Sequence, residues 1–174
     1  MNKKEFSILI KLIRTTYPQQ NLFPNEESIE IWYRMLKDIP YEIAMVAVEK
    51  WISMNKWAPA ISDIREYATG MCQEQEQDWG EGWNELLRAI ARYGYYDEDG
   101  ALESMSPVTR ETVRRLGFKE LCLSTNQMAD RANFRTVYET ISKRNKEDAQ
   151  LPGRLLDQIQ QMKLQSKGVN LLDG

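Results

Sequence analysis

The chain has 174 residues, 42% hydrophobic and 28% charged, with a formal net charge of −3. That balance fits a soluble globular protein of one domain or two small ones. Acids outnumber bases in both halves, so neither half is basic enough to signal the cationic surface that releases counterions from DNA; a local patch stays open, and DNA is expected as a weak or indirect partner. There is no histidine, which excludes His-based triads and the usual zinc spacings. Cys72 and Cys122 are far apart and read as small buried residues, reduced in a reducing cytoplasm.

Helical periodicity recurs along the whole chain, and no strand alternation interrupts it. Phe6, Leu9, Ile10 and Ile13 fall on one face of a first helix over about 3–15, with Asn2 as its cap and Pro18 as its break. The run is interrupted by Ser7 and Lys11 and no small-residue cleavage site follows, so it is read as an amphipathic helix and not as a signal peptide, and no stretch approaches the ~20 apolar residues of a membrane span. Asn25 caps a second helix with Ile29, Trp32, Tyr33 and Leu36 inward and acids in its first turn. Pro40 opens a third, from Tyr41 to about Asn55, whose face of Ala44, Ala47, Val48 and Trp51 suits close packing. A fourth, from Ser62 to about Met71, turns Ile64, Ala68 and Met71 inward.

Residues 72–78 are polar and nearly free of core residues, so a subdomain boundary is placed there. Beyond it Trp79, Trp83, Leu86, Leu87 and Ile90 mark a fifth helix ending near Gly94, and Tyr95 to Ser104 reads as a loop with an acidic tip. Ser106-Pro107 combines a capping residue with proline at the first helical position, and Gly117 ends the helix it starts. A short helix over 118–123 follows. A longer one from about Asn126 to Asn145 carries Phe134, Val137, Tyr138 and Ile141, and Leu151-Pro152 begins the last. The expected fold is all-α: a compact bundle of eight to nine helices. It is divided as an N-terminal domain (1–72), a second subdomain (73–150), and a C-terminal helix with a frayed tail (151–174).

Catalytic signals are weak. The phosphate cradle of an ATP-using protein needs glycines followed by Lys and Ser/Thr. Gly80-Glu81-Gly82 is the nearest approach, and its acid would repel phosphate. The acidic turn at Asp97 lacks the glycine and glutamate positions of an EF-hand, and Glu26, Glu27 and Glu30 are explained by the helix dipole. No catalytic, cofactor-binding or metal residue is assigned, and no cofactor is expected. The unit from Trp51 to Arg65 reads as helix, connection, helix and keeps open an alternative: a DNA-binding accessory protein. Its second helix, offering Asp63, Arg65, Glu66 and Thr69, fits a major groove poorly.

Thr16-Tyr17-Pro18, Trp32, Leu36, Asp38, Tyr41, Ala44, Ala47, Pro59, Ile61 and Asp63-Ile64-Arg65 resemble, in order and spacing, the helicase loader/inhibitor proteins of phages and prophages of Gram-positive bacteria. The second half is similar to the longer prophage members. It carries Trp83, Arg88-Ala89-Ile90, Tyr93-Gly94, Leu116-Gly117-Phe118, Asp130 through Phe134, Tyr138-Glu139 and Leu151-Pro152. The resemblance implies a non-enzymatic adaptor that binds a DnaB-type hexameric helicase and holds it inactive. Contact with the phage initiator at the origin then releases it onto single-stranded DNA. It further implies that the C-terminal region binds the helicase.

Contact residues follow from the chain itself. A short amphipathic helix at a chain end is a common occupant of a partner's groove. The last helix offers Leu155, Leu156, Ile159 and Met162 with Arg154, Gln158 and Lys163 around them; capping the bundle core is the competing role. Arg131, near the apolar face of its helix, would either pair internally with an acid or face a partner. Trp57, between Lys56 and Ala58 in a loop, is the one tryptophan off a helical stripe and a candidate binding residue.

Overall fold

The computed structural model describes residues 1–72 and 77–169, with the backbone alone at residues 72 and 166–169. Ten α-helices and no strand occur among them. They are α1 (Lys3–Thr16), α2 (Glu26–Leu36), α3 (Tyr41–Met54), α4 (Ile61–Cys72), α5 (Trp79–Tyr93), α6 (Glu98–Glu103), α7 (Pro107–Leu116), α8 (Phe118–Leu123), α9 (Gln127–Gln150) and α10 (Gly153–Val169). The chain divides into two units, Met1–Glu74 with Asp148–Gly174, and Gln75–Glu147. The C-terminal helix thus groups with the first unit, and the chain passes from one unit to the other within α9. No described helix is long and apolar enough to cross a membrane.

In the first unit the caps act where the sequence places them. Asn2 accepts the N–H groups of Lys4 and Glu5 at 2.9 and 3.0 Å, while Glu5 accepts that of Asn2 at 2.7 Å, a reciprocal capping box. Asn25 accepts the Ser28 N–H at 2.9 Å to start α2. The small residues of α3 let it pack against both α1 and α4, and Ala44, Ala47 and Val48 are fully buried there. Leu9, Ile13, Leu36 and Ile64 complete that core, each worth roughly 1.5–3 kcal/mol of transfer free energy. Ile29, Trp32 and Tyr33 of α2 pack against it only partly buried. Met71 does not face inward; near the end of α4, past the last packed turn at Ala68, it is exposed.

The second unit is centred on Trp83, Leu86, Val113, Phe118, Phe134 and Tyr138. Trp83 meets Phe134 edge-on at 5.3 Å, and the Tyr138 hydroxyl donates to the Gln77 carbonyl at 2.8 Å. Gly94 and Gly117, at φ 63° and 86°, end α5 and α7 in the left-handed region, where glycine avoids the Cβ clash. Three expectations are corrected here. The acidic turn is the start of α6, because Asp97 accepts the Gly100 N–H at 3.0 Å and Ala101 and Leu102 are buried. Leu87 is exposed, and Ala89 takes the inward position. Ser106 does not cap α7 with its side chain. It donates its N–H and hydroxyl to Glu85, at 3.1 and 2.8 Å, so a carboxylate from α5 serves that helix start.

Candidate partner-binding surface

Arg65 organises the polar side of the first unit. Sequence reasoning turns it outward on α4, but it is buried. Its guanidinium donates to both oxygens of Asp38 at 2.8 and 2.9 Å, to the Met35 carbonyl at 2.6 Å, and to the Gln150 carbonyl. Met35 lies in the last turn of α2 and Gln150 ends α9, so one cation answers carbonyls left open at two helix C-termini. Asp38 in turn accepts the Gly153 N–H at the start of α10, an anion at a helix N-terminus. Burial pushes the Asp38 carboxyl up, but the hydrogen bond and charge of Arg65, helped by the Gly153 amide, outweigh it and hold it below its ordinary value. The ends of α2 and α9 and the start of α10 are therefore joined through one ion pair.

From that junction α10 exposes a mixed face. Leu155, Leu156 and Ile159 are partly buried, and Arg154, Gln158 and Lys163 are exposed. Met162 is 66% exposed and Leu164, which sequence reasoning passed over, 71%. At the α10 start Arg34, Met35, Lys37, Pro152, Arg154 and Leu155 surround a cavity of about 270 Å³ with Asp38. The sequence did not single out Arg34 or Lys37, because cations at a helix C-terminus are expected on dipole grounds alone.

Trp57 stands on a connection pinned from several sides. The Tyr17 hydroxyl donates to the Asn55 carbonyl at 2.8 Å, Trp51 Nε1 to the Trp57 carbonyl at 2.8 Å, and the Ala58 N–H to Gln20 at 3.0 Å. The backbone is fixed, yet the indole is 64% exposed, the preorganised aromatic that partner surfaces favour.

Arg131, in the second unit, is exposed rather than partly buried against an acid. Its guanidinium lies 5.1 Å from the Trp79 ring centroid, and that of Arg135 lies 5.2 Å away. Arg135 pairs with Glu139 at 2.7 Å, whereas Arg131 has no ion pair among the described residues. The nine candidate residues thus lie on three elements, and only those of α10 share one.

No group of three or more His, Cys, Asp or Glu side chains fit for a metal occurs among the described residues. Cys122 is partly buried, and burial, with Glu98 nearby, pushes its thiol up, away from the reactive thiolate. Gly82 of the Gly-Glu-Gly sequence lies inside α5, where an added Cβ would sit 2.6 Å from the Tyr138 ring. That glycine permits close packing.

The described residues form an all-helical structure with exposed aromatic and cationic groups on both units. Residues 1–65 match the family model for the N-terminal domain of the helicase loader of phage SPP1, in agreement with a phage helicase-loader family. No curated protein and no solved structure matches the chain. The matched segment covers α1 to α3 and closes on Arg65 itself, so it contains both Asp38 and Arg65 but neither Gln150 nor α10.

Proposed function

We propose that the chain is a non-enzymatic adaptor of phage or prophage replication. It binds a DnaB-type hexameric helicase, holds it inactive, and releases it at the origin on contact with the phage initiator, in the cytoplasm of the bacterial host. The observation that carries this reading is the match of residues 1–65 to the helicase-loader domain. The C-terminal helix α10 is proposed to supply part of the helicase contact. Its support is the exposure of Met162 and Leu164 beside Arg154, Gln158 and Lys163, an amphipathic surface of the kind that enters a partner's groove. Trp57 and Arg131 are proposed as additional partner-facing residues, each an exposed group of the type enriched at binding hot spots.

The DNA-binding alternative loses its main support. The arginine of α4 is buried in an ion pair, and the helix exposes Ser62, Glu66, Gly70 and Met71 instead, with no cation to meet phosphate.

The test is the helicase's own ATP hydrolysis. Added in excess, the protein is expected to suppress the ATPase of the helicase from its phage or host, and added initiator to restore it. An ATPase rate unchanged at saturating protein, for both helicases, contradicts the inhibitory adaptor.

A further inference from the structure

The cavity at the start of α10 has a chemistry of its own. Its wall is apolar, from Met35, Pro152 and Leu155, and its rim carries Arg34, Lys37 and Arg154. Its acid, Asp38, is already neutralised by Arg65. All three rim cations are exposed, and none makes an ion pair or side-chain hydrogen bond among the described residues. Arg34, in the last turn of α2, is where the helix dipole welcomes a cation. Arg154 is not. It occupies the first turn of α10, where the positive end of the dipole repels it. No internal contact among the described residues offsets that cost, so Arg154 makes physical sense if an anion from outside meets it.

At about 270 Å³ the cavity falls below the ~300 Å³ at which drug-sized ligand sites begin, a size that suits a single large side chain. Three cations around an apolar wall complement a segment that is both acidic and apolar. A nucleic acid would answer the charge and leave the wall unfilled.

We propose that this cavity docks an acidic peptide segment of the protein partner. One aliphatic or aromatic side chain enters between Met35, Pro152 and Leu155, and flanking carboxylates pair with Arg34, Lys37 and Arg154. The identity of the partner rests on the adaptor reading; the chemistry of the cavity does not.

The test titrates the isotopically labelled full chain with a blocked hexapeptide in which Leu-Phe is flanked by two acids on each side. The controls are the same peptide with lysines for the acids, and a single-stranded thymidine oligonucleotide. The acidic peptide is expected to shift the amide resonances of Met35, Asp38, Gly153 and Leu155, and to bind more weakly as salt rises. The double variant Arg34→Glu/Arg154→Glu should weaken it about tenfold or more. These residues are exposed, so an otherwise unchanged spectrum shows that the variant folds; Lys37→Glu alone gives a second, smaller loss. Absent shifts at those amides, equal affinity in the double variant, or shifts caused by the oligonucleotide and not the peptide each overturn the proposal. The same variants separate it from the adaptor reading. A helicase complex equally tight in the double variant overturns the helicase as the source of the docked segment and leaves the adaptor standing. Peptide binding without any helicase complex does the reverse.

Discussion

A guanidinium withdrawn from water needs acceptors for its N–H groups, and Arg65 finds them on Asp38 and on two helix ends. Removing one partner of such a pair leaves the other uncompensated. Arg65→Ala should therefore cost about 3 kcal/mol, the lower end for buried pairs because Asp38 is partly exposed. A shift in the urea midpoint measures it. Arg65→Lys should recover only part, since an ammonium cannot span both oxygens and two carbonyls. Glu85 holds the α7 start in the second unit. Burial raises its carboxyl, but the hydroxyls of Thr109 and Ser106, the Ser106 N–H and the Gln77 side chain bring it below the ordinary value. For both acids the folded state favours the ionised form. Their stabilisation is complete above the unfolded value of about 4 and is lost as pH falls through the lowered folded values. Stability should be flat above about pH 5 and decline below about pH 4. The double variant Asp38→Asn/Glu85→Gln should be less stable at neutral pH and show a shallower acid slope; equal slopes contradict the assignment. Gly82→Ala should destabilise the second unit by about 1–3 kcal/mol through overpacking against Tyr138, despite alanine's better helix propensity.

At the scale of elements, periodicity and caps made most helices legible. Asn2, Asn25, Pro40 and Gly117 are local signals, and the structure uses each where it stands. The helix α6 was illegible because six residues with a glycine among them have little intrinsic propensity. Tertiary contacts hold it instead. Ala101 and Leu102 are buried, and Arg110 donates to the Leu102 carbonyl at 2.8 Å and the Met105 carbonyl at 3.1 Å. Arg65 escaped for the same reason. On α4 it lies beside the inward Ile64 and three residues before Ala68, a position that reads as a polar flank until Asp38 and the helix ends that surround it are known. The candidate residues of α10 could be named from periodicity, whereas the cavity could not, because Arg34 to Asp38, at the end of α2 and just past it, line it from far along the chain. A chain ending at Gln150 keeps the carbonyl that Arg65 grips and loses α10. It should stay folded and bind the helicase at least tenfold more weakly, as read by titration; full-strength binding removes α10 from the contact.

The whole molecule carries acids in excess, no histidine and no described metal-binding cluster. The features proposed to meet a partner are local to each unit: the cation-rimmed cavity and α10 on the first, with Trp57, and Arg131 over Trp79 on the second. The proposed role is to occupy the surface of another protein, a hexameric replicative helicase. The most direct measurement is the mass of the mixture of purified protein and helicase, with and without ATP, by chromatography with light scattering. A discrete complex heavier than the helicase hexamer is expected, its formation dependent on nucleotide. Separate elution of the two proteins under every nucleotide condition, with helicases from both host and phage, would contradict it.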